Sequence, residues 1–88
     1  MQVQQQKKHE SFTHALKCED KYFIALVRGE KTFEIRKNDR DYRVGDRLHL
    51  WEISSNRETG RHAEFVITYM TDYEQKPGYV VMSVKWMH

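Results

Sequence analysis

Apolar positions in this chain fall into short alternating runs interrupted by one helical stripe. Thr13 to Cys18 alternates, with His14, Leu16 and Cys18 on one side and Ala15 and Lys17 on the other, and predicts a first strand. From Asp20 to Arg28 the apolar residues Tyr22, Phe23, Leu26 and Val27 recur at helical spacing. Glu19 and Asp20 place acids at the positive end of this short amphipathic helix, and Gly29 stands where a C-terminal cap needs φ > 0. Lys31 to Lys37 alternates again and predicts a second strand, with Phe33 and Ile35 on one side and Thr32, Glu34 and Arg36 on the other. Asn38 to Val44 is charge-rich without an aliphatic residue before Val44, hence a loop, and Val44-Gly45-Asp46 is a tight turn.

Arg47 to Ser54 predicts a third strand. Leu48 and Leu50 share a face with Glu52, whereas His49, Trp51 and Ile53 share the other, so alternation leaves the buried face open. Ser55 to Gly60 is expected as a turn joining a hairpin. Arg61 to Thr71 predicts a fourth strand, long enough to suggest a bend or bulge. Lys76-Pro77-Gly78 marks a turn, and Tyr79 to Met87 predicts a last strand. The order β-α-β-β-β-β, with the helix near the start, implies an α+β fold: a curled sheet or small open barrel of about five strands. Met1 to Phe12 is glutamine-rich and lacks periodicity, so it is expected as a disordered or loosely attached arm, whose Lys7 and Lys8 could touch a polyanion. Residues 13–88 form the single domain.

Composition narrows the function classes. The chain has 88 residues, enough for one domain with a modest core. Fifteen basic and thirteen acidic side chains leave a net charge of +2, too small a bulk excess to mark a nucleic-acid binder, so such binding needs a local patch. The single cysteine, Cys18, excludes an internal disulfide and suits a reducing compartment, here the cytoplasm. The absence of a long apolar run predicts neither a membrane span nor a signal peptide. Neither the five histidines nor Cys18 has metal-ligand spacing, and no phosphate-loop or nucleophile-elbow motif occurs, so no metal or cofactor is expected.

The densest chemistry lies between Gly29 and Tyr42. Lys31 is a mobile cation, Glu34 an acceptor, and Arg36 a planar fork for phosphate, carboxylate or a base edge. Glu34 and Arg36 on one strand face are either a surface ion pair or the floor of a site. Thr32 shares their face. Arg40, Arg43 and Tyr42 in the following loop could extend such a site.

Gly29-x-Lys31-x-x-Glu34-x-Arg36 resembles the G-x-K-x-x-E-x-R signature of ASCH domains of the PUA-like superfamily. The wider pattern is Lys31-Thr32-Phe33-Glu34-Ile35-Arg36-Lys37-Asn38-Asp39-Arg40, then Tyr42-x-Val44-Gly45-Asp46 and Lys76-Pro77-Gly78-Tyr79-Val80-Val81. It is similar to the DUF3850 family, found in phages and bacteria. The resemblance implies a PUA-like barrel with a cleft between helix and barrel, and an RNA or nucleotide-like ligand. It implies ligand contacts from Lys31, Thr32, Glu34, Arg36, Arg40 and Tyr42. Some ASCH-fold proteins are amidohydrolases of acylated cytidine that use a lysine and a threonine. Here Lys31 matches the lysine, but Glu34 stands at the threonine position, leaving Thr32 as the hydroxyl if the chain is an enzyme. Lys31 as a base would need a depressed pKa. The expectation is therefore recognition over catalysis. The alternatives are a small amidohydrolase and a phage accessory that binds a protein partner through the sheet edge.

Overall fold

The computed structural model describes residues 10–88. These form β1 (Thr13–Glu19), α1 (Asp20–Val27), β2 (Phe33–Lys37), β3 (Arg47–Ser54), β4 (Arg57–Thr71) and β5 (Tyr79–Met87). The arm expected over Met1 to Phe12 lies, up to His9, outside the described residues. Phe12 donates its N–H to Asp46 Oδ1 and accepts from the Arg47 N–H.

Both ends of α1 are set locally. Asp20 sits in the first turn, where the helix dipole favours a carboxylate. Its Oδ1 accepts from the Lys21 N–H and its Oδ2 from the Ser54 hydroxyl, which ties the helix start to the end of β3. Gly29 at φ 76° ends the helix, and the Gly29 and Glu30 N–H groups reach back to the Leu26 and Ala25 carbonyls. The Lys31 N–H also bonds to the Ala25 carbonyl, so the second strand begins at Phe33 and not at the expected Lys31. Phe23 and Leu26 are buried beneath the helix, whereas Tyr22 is 44% exposed.

The five strands make one sheet in the order β1-β3-β4-β5-β2. β1 pairs with β3 in parallel, and the other pairs are antiparallel. The sheet curls into a half-barrel whose edges, β1 and β2, approach each other. Their link is made by side chains: Arg36 of β2 donates from Nη2 to the Lys17 carbonyl of β1 at 2.9 Å, and Arg40 donates from Nη1 to the Ala15 carbonyl at 3.4 Å. The concave face holds the core, with Leu16, Leu48, Leu50, Phe65, Ile67 and Met82 at its centre. Among the described residues no helix is long and apolar enough to cross a membrane.

The hairpin differs from the expected six-residue turn. Ser55 and Asn56, both at positive φ, make a two-residue turn, and β4 starts at Arg57. The local polarity of Arg57 to Gly60 suggested a loop, but these residues are paired strand at the exposed end of the hairpin. A register shift between Trp51 and Ile53 sets Glu52 opposite the segment Thr59-Gly60-Arg61, with Gly60 at φ 93°. The bend expected in the long strand lies between Ile67 and Tyr69.

The structure settles which face of β3 is buried. Leu48, Leu50 and Glu52 all point inward with no exposed surface. Glu52 accepts from Thr59 Oγ1 at 2.6 Å and from Arg61 Nε and Nη2 at 2.7 and 2.9 Å. It is covered by Arg61, itself exposed, at the end of the barrel. The Arg61 hydrogen bonds, then the Thr59 one, hold its carboxyl below the ordinary value against the opposing effect of burial. A second buried carboxylate, Asp46, accepts from the Phe12 and Arg43 N–H groups and lies 2.8 Å from His14 Nε2. It staples the start of β1 to the turn before β3.

Two outcomes follow. A carboxylate with a lowered folded-state pKa contributes stability that is present above its unfolded pKa and is lost as pH falls through the folded one. In urea titrations, Arg61→Met should lower the midpoint at pH 7, and the difference from the parent should shrink as acid protonates Glu52. In the core, Ile67→Val should cost about 1 kcal/mol, while Tyr69→Ala on the exposed surface should stay within about 0.5 kcal/mol of the parent.

Candidate functional site

The open seam between β1 and β2 holds a cleft of about 590 Å³, within the range of small-ligand sites. Its wall includes Lys17, Cys18 and Glu19 of β1, Tyr22 of α1, Lys31 from the loop, and Phe33 to Lys37 of β2. β2 reverses the usual assignment of its faces. Glu34 and Arg36 pair with Met82 and Val80, whose side chains are core, so the charged pair points inward. Phe33 and Ile35 point outward and are 40% and 51% exposed.

Glu34 is only 4% exposed, and both of its oxygens are engaged. Lys31 Nζ donates to Oε1 at 2.6 Å, and Arg36 Nε donates to Oε2 at 2.9 Å. Burial of an unpaired carboxylate would be costly, so these two cations are what allow Glu34 to sit there. Arg36 is fixed a second time by the Lys17 carbonyl, and its Nη1 has no hydrogen-bond partner among the described residues. The Lys31 ammonium lies 4.9 Å from the centre of the Tyr22 ring and 5.0 Å from that of Phe33, in cation–π range. The three charges leave a net positive site under two aromatic rims. Such a site can hold an anionic group against Arg36 and Lys31 and a flat ring against Tyr22 or Phe33.

Of the six residues expected from the sequence, Lys31, Glu34 and Arg36 converge here. Thr32 lines a smaller depression with Arg28, Gly29 and Trp86 and precedes β2. Arg40 lies in another depression beside His14, Asp41 and Arg43. Tyr42 is buried, donates its N–H to Asn38 Oδ1, and sets its ring edge-on to His14; burial raises its phenol pKa. It packs in the core and not in the cleft. Tyr22, Phe33 and Lys17 are site residues that the periodicity concealed: Tyr22 looked like part of the helix's apolar stripe, and Phe33 like a strand apolar residue. Cys18 also lines the cleft, but burial foremost, then the Glu34 charge, pushes its thiol up to about 11. It is a protonated packing residue at neutral pH. Among the described residues no group of three or more histidine, cysteine or acidic side chains is arranged to hold a metal ion.

Fold and site together define a small α+β half-barrel with a cation-floored, aromatic-rimmed cleft at its seam. The chain belongs to the family described as Domain of unknown function (DUF3850), whose model matches residues 13–84. It is similar to an uncharacterized 12.9 kDa protein in the GpA 3′ region of Escherichia phage P2, with 44% identity over 59 residues. The match covers 67% of this chain and 54% of that relative, so the chain spans about half the length of the curated protein it matches.

Replacing Glu34 by alanine would leave Lys31 and Arg36 without their shared anion. Because both cations are partly solvated, the expected loss is about 1–3 kcal/mol of stability in urea unfolding, and Glu34→Gln should lose less.

Proposed function

We propose that this chain is a binding module for RNA or a nucleotide-like ligand, held in the seam cleft by Lys31, Glu34 and Arg36. The carrying observation is the saturated state of Glu34: both oxygens hold cations in place, and the cations retain unused donors beneath Tyr22 and Phe33. Arg36 would take a phosphate or a base edge through its remaining nitrogen, and Tyr22 or Phe33 would stack on the base. Preorganised donors of this kind favour recognition, because their positions do not have to be bought with new order on binding. We also infer that the half-barrel is of the PUA-like, ASCH kind. Support comes from the helix inserted between the first two strands and from the signature residues lying at the seam.

The amidohydrolase reading is less well supported. It asks for a hydroxyl beside Lys31 in the cleft, and Thr32 is not part of the cleft wall; it lines the neighbouring depression, which Lys31 also borders. Glu34, the side chain at the expected threonine position, is fully engaged in ion pairs.

NMR titration of labelled protein with short RNAs, single-stranded DNA and nucleosides, beside a hydrolysis assay on N4-acetylcytidine, separates these readings. Shift changes are expected around Lys31, Glu34 and Arg36 without turnover, and Arg36→Ala should weaken binding by about tenfold or more, the size of a lost charged hydrogen bond. Turnover that disappears in Lys31→Ala would overturn the binding-module reading. Absence of shifts with every nucleic acid at low salt would point to a protein partner.

A further inference from the structure

Two residues of the cleft wall stand at outer-face positions of the sheet. These, Lys17 and Ile53, alternate with the buried positions of β1 and β3 and so belong to that face. Trp51 is the register partner of Lys17 across the β1–β3 pair and stands two residues before Ile53. Trp51 does not line the cleft itself but is the cross-strand neighbour of the wall residue Lys17. Across the β3–β4 pair its partner is His62. Lys17, Trp51 and His62 form one row that leads away from the cleft across the strands.

The rings around Trp51 gather on one side of the indole. His49 and His62 stack on Trp51 with centroid distances of 4.6 and 4.4 Å. Their own centroids are 5.0 Å apart, and His49 Nε2 and His62 Nδ1 share a hydrogen bond of 2.9 Å. That separation is far less than the sum of the two stacking distances, so both imidazoles lie on the same side of the indole. No ring among the described residues lies against the opposite side. Trp51 is half-buried, fixed in orientation by the imidazole pair and still reachable from solvent.

We propose that the ligand is single-stranded RNA of at least two nucleotides, with one nucleotide in the cleft, the next base stacked on Trp51, and the intervening phosphate on Lys17. The inference rests on the nucleotide reading of the cleft. A fixed indole accepts any base, because every base has a π-face, and a lysine between two base sites suits a phosphate. A duplex keeps its bases stacked on each other and cannot supply one to the cleft and one to the indole.

The test uses the full chain carrying Trp86→Phe, which leaves Trp51 as the single tryptophan. It is titrated at low salt with ribonucleoside 5′-monophosphates, with single-stranded tetraribonucleotides, and with an RNA duplex. Tetranucleotides should bind more tightly than monophosphates and duplex, and should quench Trp51. By anisotropy of a labelled tetranucleotide, Trp51→Ala should weaken binding about tenfold, one base stack, while monophosphate binding is unchanged. Trp51→Phe, which keeps a ring and guards against a folding defect, should retain most of the affinity. Tetranucleotides that bind without quenching, and equally well to Trp51→Ala, would overturn this path and leave the cleft reading standing. Duplex binding as tight as single-strand binding would also overturn it. If no monophosphate or tetranucleotide binds, the cleft reading falls and this inference with it.

Discussion

The carboxylate of Glu34 is the constraint on which the seam depends. A five-stranded sheet of this order has two unpaired edges, β1 and β2, and here they are not joined by a backbone ladder. Arg36 spans the gap instead. Glu34 orients the guanidinium through Nε, and the Lys17 carbonyl receives Nη2. The same carboxylate holds Lys31 on its other oxygen. One buried acid thus closes the barrel edge and positions the cations that floor the cleft. Edge strands left open invite pairing with other chains, and the Arg36 and Arg40 guanidiniums on the Lys17 and Ala15 carbonyls of β1 oppose that pairing.

Among the described residues three acids are buried, and each sits at a joint. Asp46 accepts from the Phe12 and Arg43 N–H groups and pairs with His14 where β1 meets the turn into β3. Glu52 is satisfied by Thr59 and Arg61 at the hairpin irregularity. Glu34 differs in that its partners are two long side chains that line a cleft. A ligand can engage Lys31 and Arg36 without dismantling backbone structure, which is why the candidate site falls at this joint. Closing a small barrel with side chains leaves a place where binding and stability share the same residues.

Much of the architecture was legible from alternation and punctuation. The bounds of β3 and β5, the helix from Asp20, its glycine cap and the bend in β4 all follow from local pattern. The turn at Ser55-Asn56 was obscured because Arg57 to Gly60 are polar strand residues whose reason for pairing, Glu52, lies on the other arm of the hairpin. Periodicity does not carry such partnerships. The same limit applies to the site. The motif spacing pointed to Lys31, Glu34 and Arg36, and these do meet. Alternation alone could not say that the charged face of β2 turns inward, since the usual preference is for Phe33 and Ile35 to be buried. That inversion requires the cations and the Lys17 carbonyl, one of them an entire strand away. Tyr42 illustrates the converse: a polar loop around an aromatic suggested a contact residue, yet the loop folds over and buries it.

The central claim is that Glu34 locks Arg36 in place at the seam. Arginine Nε–H resonances in ¹⁵N NMR report this directly. The Arg36 Nε–H should be slowly exchanging in the parent, should lose that protection in Glu34→Gln, and should shift when a ribonucleotide binds. An Arg36 Nε–H that exchanges like that of a solvated arginine, and does not respond to Glu34→Gln, would contradict the account.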